Sequence, residues 1–90
     1  MKSFKTSTQF KKDLKRYRNK PLKLKALADF LELLRLEQPI PANYFPHMLQ
    51  GIYKGCLECH IEGDFLLIWI DEDRDIIELV RLGSHSELFG

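Results

Sequence analysis

The chain has 90 residues, of which 44% are hydrophobic and 30% charged, and its formal net charge at pH 7 is only +1. This composition is typical of one globular domain, so we expect a single domain over residues 1–90. The longest apolar run, Phe65–Ile70, is too short to cross a bilayer, and no apolar segment follows the N-terminal methionine. We therefore expect a cytoplasmic protein with no membrane partner and reduced thiols at Cys56 and Cys59.

The near-neutral total hides a strong charge asymmetry. Residues 1–38 carry a net charge of +7 and residues 39–90 a net charge of −6. A basic half on a small domain indicates a polyanionic partner, whose phosphates it could hold without reading sequence. A solvated helix face would show the same pattern, and charge alone does not decide between the two. Five basic residues lie close together in the chain: Lys11, Lys12, Lys15, Arg16 and Arg18.

A short strand and two helices are predicted for the N-terminal half. The strand covers Phe4–Thr6, and Ser7 or Thr8 can cap the helix that follows. Pro21 interrupts that helix and is well placed to begin the next one. Because a short turn joins the two helices, they should form an antiparallel hairpin that packs through its apolar stripes. The stripes are Phe10, Leu14 and Tyr17 in the first helix, and Leu24, Leu27, Ala28, Leu31 and Leu34, flanked by Phe30 and Leu33, in the second.

Three further strands are predicted for the C-terminal half. Prolines at positions 39, 41 and 46 indicate an irregular connection, which places His47 on a loop. From Gly55 onward the pattern changes to the period of two that is typical of strands. The strands cover about residues 57–61, 65–70 and 76–82, with turns at 62–63 and 71–75. The order β-α-α-β-β-β predicts an α+β fold: a mostly antiparallel twisted sheet with the N-terminal helical hairpin packed on one face and the other face partly open.

All three histidines lie in the C-terminal half: His47, His60 and His85. Strand alternation places His60 off the helix-packed face, and Asp64 follows it across a turn. Loops could bring His47 and His85 to the same side. Two or three imidazoles with a carboxylate can perform general acid–base catalysis, because imidazole takes and gives a proton near neutral pH. Three unrelated structural or surface histidines are the alternative interpretation.

The segment Cys56–His60 matches the C-x-x-C-H pattern of covalent haem attachment. Haem is excluded because its attachment requires export, for which no signal is present. Zinc is excluded because a strand directs Cys56 and Cys59 to opposite faces, and no second pair of cysteines completes four ligands. We therefore expect no metal and no cofactor, with Cys59 buried in the core and Cys56 incidental.

Arg81 and two phenylalanines are the remaining candidates for contact with a ligand. Arg81 lies in the last strand, in phase with Ile77 and Leu79. Its guanidinium could stabilise a developing phosphorane charge, or it could form a salt bridge with one of the C-terminal acids. Phe65 and Phe89 could stack on unpaired bases, although core packing is the default for Phe65.

Several segments of the C-terminal half share their order and spacing with a known family. They are residues 47–51, 53–55, 59–68 and 81–90, and the closing pattern G-S-H-x-x-L-F at residues 83–89 is the most specific of them. In these segments the chain resembles the YafQ-type toxins of the RelE/ParE superfamily, the bacterial type II toxin–antitoxin endoribonucleases. The N-terminal half matches that family only in its β-α-α layout and basic character.

This resemblance implies one RelE/YafQ-like toxin domain over residues 1–90 with a ribosome-dependent mRNA interferase activity. Such a toxin cuts the mRNA codon in the ribosomal A site, and a cognate antitoxin neutralises it. The resemblance places His47, His60, Asp64 and His85 on catalytic positions. It implies substrate-binding roles for Arg81, Phe65, Phe89 and Lys54, and Phe65 stands where the family often has tryptophan. Contacts with rRNA would fall to Lys11, Lys12, Lys15, Arg16 and Arg18.

The implied reaction is metal-free cleavage in which the RNA 2′-hydroxyl is the nucleophile. We expect His47 or His60 to act as the base, His85 as the acid, and Asp64 to orient a histidine or share in proton transfer. Arg81 would steady the phosphate. Two alternatives remain: a ParE-like toxin that inhibits gyrase, in a branch that lacks this set of histidines, and a non-catalytic RNA-binding module built on the basic helices.

Overall fold

The computed structural model describes residues 1–71 and 75–90. The turn predicted over 71–75 therefore lies partly outside the described residues. Within them, no helix is long and apolar enough to cross a membrane. The strands are β1 (Ser3–Thr6), β2 (His47–Met48), β3 (Leu57–Glu62), β4 (Phe65–Ile70) and β5 (Ile76–Gly83). The helices are α1 (Thr8–Lys15), α2 (Pro21–Arg35) and α3 (His85–Phe89), with single 3₁₀ turns at Ala42–Tyr44 and Gly51–Tyr53.

The described strands form one mixed sheet in the order β1-β5-β4-β3-β2. β1 pairs with β5 in parallel, and the other pairings are antiparallel. β4 is central because its side chains are apolar on both faces, and all of them except that of Ile70 are buried. The predicted α+β class, with a mostly antiparallel sheet and both N-terminal helices, is confirmed.

The two long helices begin where local sequence chemistry predicts. The Ser7 hydroxyl accepts a hydrogen bond from the Phe10 amide as the N-cap of α1, and Pro21 occupies the first turn of α2. α1 lies against β5 and α2 against β3, so both helices cover one face of the sheet. This arrangement leaves the opposite face to the segments that follow α2.

The apolar stripe of α2 runs through Phe30, and the prediction that Ala28 belongs to it is wrong. Leu27, Phe30 and Leu34 are buried at i, i+3 and i+7, whereas Ala28 is exposed. The Phe30 ring has no exposed surface and meets the Trp69 ring edge-on at 5.5 Å between centroids. Two large aromatic rings in contact therefore form the centre of this core.

The second face of the sheet is covered, which corrects the prediction of a partly open face. A smaller cluster of buried residues lies there, made of Cys56, Leu66, Ile68 and Leu88. Residues between β2 and β3, together with α3, supply the cover. Cys56 is therefore a buried member of a second core rather than an incidental residue, and Cys59 is fully buried in the first.

Removal of the α1 cap should cost measurable stability. The Ser7 hydroxyl accepts from Phe10 N at 2.9 Å and donates to the Val80 carbonyl at 2.7 Å. Ser7→Ala should lower the free energy of unfolding by about 1 kcal/mol. Equilibrium urea unfolding checks this value, with Thr8→Ala as the control because that neighbouring side chain is exposed. Equal stabilities of the two variants would contradict a capping role.

Candidate active site

The end of β3, the start of β4 and the end of β5 lie side by side at one end of the sheet. Gly63 adopts a φ of 50° in the turn between β3 and β4, a conformation that glycine accepts without strain. This turn returns the chain so that Asp64 lies near His60. Gly83, at the end of β5, pairs with Leu66 and so delivers the following residues to the same place.

α3 starts at His85 because side chains of Ser84 and Glu87 accept hydrogen bonds from the backbone amides at its N-terminus. The Ser84 hydroxyl accepts from the Glu87 amide, and the Glu87 carboxylate accepts from the Ser84 amide, which is a capping box. The prediction that His85 lies on a loop is corrected accordingly. A histidine at the first position of a capped helix has a fixed backbone, and this fixes where its ring can reach.

Asp64 holds His85 through two hydrogen bonds to one oxygen. Its Oδ1 accepts from the His85 backbone amide at 2.9 Å and lies 3.1 Å from His85 Nδ1. The bond from the backbone amide, followed by the bond from the ring, lowers the pKa of the Asp64 carboxyl below its usual value. The carboxylate is therefore ionised at neutral pH, and an Nδ1–H donor facing it leaves Nε2 of His85 for a substrate.

His60 and His85 are neighbours. Their ring centroids are 5.9 Å apart. His60 Nδ1 lies 3.1 Å from the Gly63 carbonyl oxygen, which can only accept, so Nδ1 carries the proton of a neutral ring. Nε2 of His60 then holds a lone pair. The pair of rings thus combines a proton acceptor, His60 Nε2, with a second imidazole, His85, that can act as a proton donor.

His47 lies in the edge strand β2, not on the predicted loop. Its Nδ1 is 2.9 Å from the Phe45 carbonyl oxygen, and its Nε2 is 3.2 Å from Glu58 Oε1. Both ring nitrogens face oxygens, an arrangement that a doubly protonated, cationic imidazole satisfies completely. β2 pairs with β3 so that His47 lies opposite Glu58.

Glu58 is a residue of this site that sequence reasoning missed. Its side chain is 2% exposed, and its Oε2 is buried without a hydrogen-bond partner among the described residues. A signal was present in the sequence, because Glu58 precedes His60 by two positions and so shares a strand face with it. Only the pairing with β2 shows that the carboxylate meets His47.

Arg81 is not in phase with Ile77 and Leu79, which corrects that prediction. A register shift in the β4–β5 pairing sets Arg81 opposite Ile68 while Leu79 lies opposite Trp69. Val80 is therefore the extra residue of a β-bulge, which re-aims the next side chain.

The Arg81 guanidinium is bound within the protein. Its Nε donates to Asp13 Oδ2 at 2.7 Å, and its Nη1 donates to the Tyr53 hydroxyl at 2.8 Å. The hydrogen bond to Asp13 raises the pKa of Arg81 above its ordinary value. The salt-bridge partner thus comes from α1 and not from the acidic C-terminal half. If Arg81 binds phosphate, as the resemblance implies, it does so while it is hydrogen-bonded to Asp13 and Tyr53.

The two candidate stacking rings differ in exposure. Phe65 is 1% exposed and packs in the core against Tyr17, with ring centroids 4.7 Å apart, which leaves almost none of its surface open to the base that was expected to stack on it. Phe89 is 45% exposed, and its ring lies 5.7 Å from that of His85. Of the two, Phe89 is the ring that a base could reach.

The basic residues of the N-terminal half lie on and beside α1. Lys11, Lys12, Lys15, Arg16 and Arg18 are all exposed, and Lys54 is exposed before β3. Arg16 also has acidic neighbours, with Nη1 3.5 Å from Asp13 and 3.8 Å from Glu87. A cavity beside Asp64 is lined in part by Arg16, Lys20 and Lys23. Positive charge therefore lies at a cavity that is also lined by Asp64, the hydrogen-bond partner of His85.

No group of three or more His, Cys, Asp or Glu side chains within residues 1–71 and 75–90 is arranged to hold a metal ion. The histidine pair instead has one carboxylate, Asp64, and a backbone carbonyl as its partners. These contacts orient rings and protons, which is the arrangement that acid–base chemistry requires.

Known proteins are similar to this chain along almost its whole length. Residues 2–90 match the family model for the bacterial toxin of type II toxin–antitoxin systems, YafQ. The mRNA interferase toxin YafQ of Escherichia coli strain K12 is 39% identical over 87 residues, covering 93% of this chain and 91% of the relative. The chain thus spans nearly all of that protein.

Solved structures show the same fold. The toxin chain in a crystal structure of the E. coli DinJ–YafQ complex is 32% identical, with a TM-score of 0.85 and full coverage of both chains. A crystal structure of a metal-bound toxin from Helicobacter pylori is 41% identical, with a TM-score of 0.86 and coverage of 99% of this chain and 100% of the other. The chain therefore belongs to the YafQ family of bacterial type II toxin–antitoxin toxins.

Proposed function

We propose that this chain is an endoribonuclease that cuts mRNA on the ribosome, in the cytoplasm, by metal-free acid–base chemistry. The observation that carries the proposal is the contact between His60 and His85, with Asp64 fixing the second ring. The name of the E. coli relative, an mRNA interferase, supports the choice of mRNA as substrate.

The reaction needs two proton transfers and one site of negative charge. His60 Nε2 removes the proton of the 2′-hydroxyl, whose oxygen then attacks the adjacent phosphorus. The bond from phosphorus to the 5′-oxygen breaks as His85 protonates that oxygen, which leaves a 2′,3′-cyclic phosphate and a 5′-hydroxyl. Each proton transfer is worth about 100-fold or more in rate.

His47 is better placed to stabilise charge than to accept a proton. Its Nε2 already faces Glu58 Oε1 at 3.2 Å, so the ring in its cationic form is held by two acceptors. In that form the ring places a positive charge at the site, and a positive charge beside the phosphate favours the dianionic transition state. We therefore assign the role of general base to His60 rather than to His47.

Charge and aromatic surface near the histidine pair supply the binding. Arg16, Lys20 and Lys23 line the cavity beside Asp64 and can hold RNA phosphates, while Phe89 offers an exposed ring. The exposed basic residues of α1 would contact rRNA. A cognate antitoxin would neutralise the protein, in keeping with the DinJ–YafQ complex of the E. coli relative.

Primer extension on a translated mRNA tests the proposal. Purified toxin should cut at in-frame codons only when ribosomes are present, and ribosome-independent cutting would contradict the ribosome dependence. Substitution of a 2′-deoxynucleotide at the cut position should abolish cleavage, because it removes the nucleophile. A metal-activated water would still cut that substrate, so persistent cleavage would exclude the proposed chemistry. Growth arrest with intact mRNA would instead favour a gyrase-inhibiting toxin.

A further inference from the structure

Phe45 is an exposed aromatic residue that the fold itself does not explain. Its side chain is 65% exposed and belongs to neither buried cluster among the described residues. Its backbone adopts a φ of 50° and a ψ of 52°, the left-handed region that is costly for a bulky residue. Glycine or asparagine would fit this position with less strain.

The main chain of Phe45 has a role that any residue could fill. Its carbonyl oxygen lies 2.9 Å from His47 Nδ1 and so orients that ring. This contact requires a carbonyl at position 45 but no particular side chain. The aromatic ring therefore calls for a separate explanation.

The Phe45 ring is one end of a series of neighbouring rings that passes through the candidate active site. It meets His60 edge-on at 5.6 Å between centroids, and His60 lies 5.9 Å from His85. His85 lies 5.7 Å from Phe89. Two exposed phenylalanines thus flank the two histidines, one beside each.

We propose that Phe45 is a base-stacking residue, which binds a nucleobase of the substrate next to the cleaved phosphate. The inference rests on the proposed ribonuclease function and assigns the stacking role to Phe45 in place of the buried Phe65. A base on Phe45 and another on Phe89 would hold the RNA strand on both sides of the histidine pair. Stacking would also contribute to the choice of codon, because the stacking strength depends on the base.

Three variants at position 45 separate stacking from structure. Phe45→Leu keeps an apolar side chain and the backbone carbonyl but removes the planar ring, whereas Phe45→Trp keeps a planar ring. We expect Phe45→Leu to lower kcat/KM on ribosome-bound mRNA by about 10-fold and Phe45→Trp to stay close to wild type. Phe45→Gly should also lose activity, although it relieves the backbone strain and so leaves the melting temperature no lower than that of Phe45→Leu.

Two controls guard against indirect effects. Leu22→Ala removes another exposed apolar side chain, 81% exposed on α2, and should leave cleavage unchanged. The pH profile of Phe45→Leu should keep its wild-type shape, since a stacking ring transfers no proton. A changed profile would show that the Phe45 ring acts by way of His60, the histidine that it meets edge-on, and would overturn the proposal.

Abasic mRNA completes the test. If Phe45 stacks on one base, removing that base should cost wild type about 10-fold and cost Phe45→Leu almost nothing more. The proposal would be overturned if, at every codon position, removing the base cost Phe45→Leu as much as it costs wild type. Wild-type cleavage rates in Phe45→Leu would also overturn it. A loss of antitoxin binding with normal cleavage would also overturn it and would assign the ring to the antitoxin. Failure of wild type to cut on ribosomes would instead reject the ribonuclease function itself, and the stacking role with it.

Discussion

Replacement of His85 by alanine should lower the rate of mRNA cleavage on the ribosome by about 100-fold or more, with the fold intact. The leaving 5′-oxygen then receives no proton from a positioned acid. The side chain of His85 is 58% exposed, so its loss should not disturb the core. Single-turnover cleavage measures the rate, and the melting temperature reports on the fold.

The pH dependence of the rate distinguishes a lost acid from a lost contact. A general acid must be protonated to act, so the wild-type rate should fall at high pH, and His85→Ala should lack that decline. Asp64→Asn keeps His85 but weakens its orientation, so its rate should fall between those of wild type and His85→Ala. Ser86→Ala, one residue further along α3, is the matched control. If folded His85→Ala cleaves like wild type, the assignment of the acid is wrong.

Replacement of Asp13 by alanine should lower the free energy of unfolding by about 3 kcal/mol, the largest effect on stability that we expect from a polar substitution. Asp13 has no exposed side-chain surface and accepts from Arg81 and from the Leu82 backbone amide at 3.0 Å. Its removal leaves a guanidinium and an amide in the interior without their acceptor. Urea unfolding measures the loss, and a stability equal to wild type would contradict this interpretation.

The same carboxylate makes stability depend on acid pH. Burial raises the pKa of Asp13, but the hydrogen bonds from Arg81, Leu82 and Gln9 outweigh burial and bring it below the ordinary value of 3.8. Because the folded pKa lies below the unfolded one, this stabilisation is present above pH 3.8 and is lost as the pH falls through the folded pKa. Asp13→Ala should remove that part of the acid dependence.

A surface aspartate provides the control for Asp13. Asp29 pairs with Lys25 at 2.9 Å within α2, and its side chain is 60% exposed. Asp29→Ala should change the free energy of unfolding by no more than about 0.5 kcal/mol, since water screens exposed ion pairs. Equal losses in the two aspartate variants would show that burial does not set the cost.

Features that depend on neighbours along the chain could be predicted from the sequence. A serine hydroxyl three residues before an amide makes the cap at Ser7, and a proline that cannot continue one helix begins the next at Pro21. The apolar run of β4 predicts a strand buried on both faces. Local hydrogen bonding and side-chain periodicity act over a few residues, so they are readable without a fold. The resemblance to the YafQ family likewise rests on contiguous segments, and it is confirmed.

Features that depend on contacts between distant residues appeared only in the tertiary structure. The ion pair of Asp13 with Arg81 joins positions 68 apart, and one extra residue at Val80 decides which way Arg81 points. The meeting of Glu58 with His47 depends on the β2–β3 register, and the burial of Phe65 depends on its packing against Tyr17, in the turn after α1. The sequence by itself determined the element order, the family and the residue types available for acid–base chemistry. Only the folded sheet decided which of those side chains meet, because register and packing are properties of paired elements and not of a single segment.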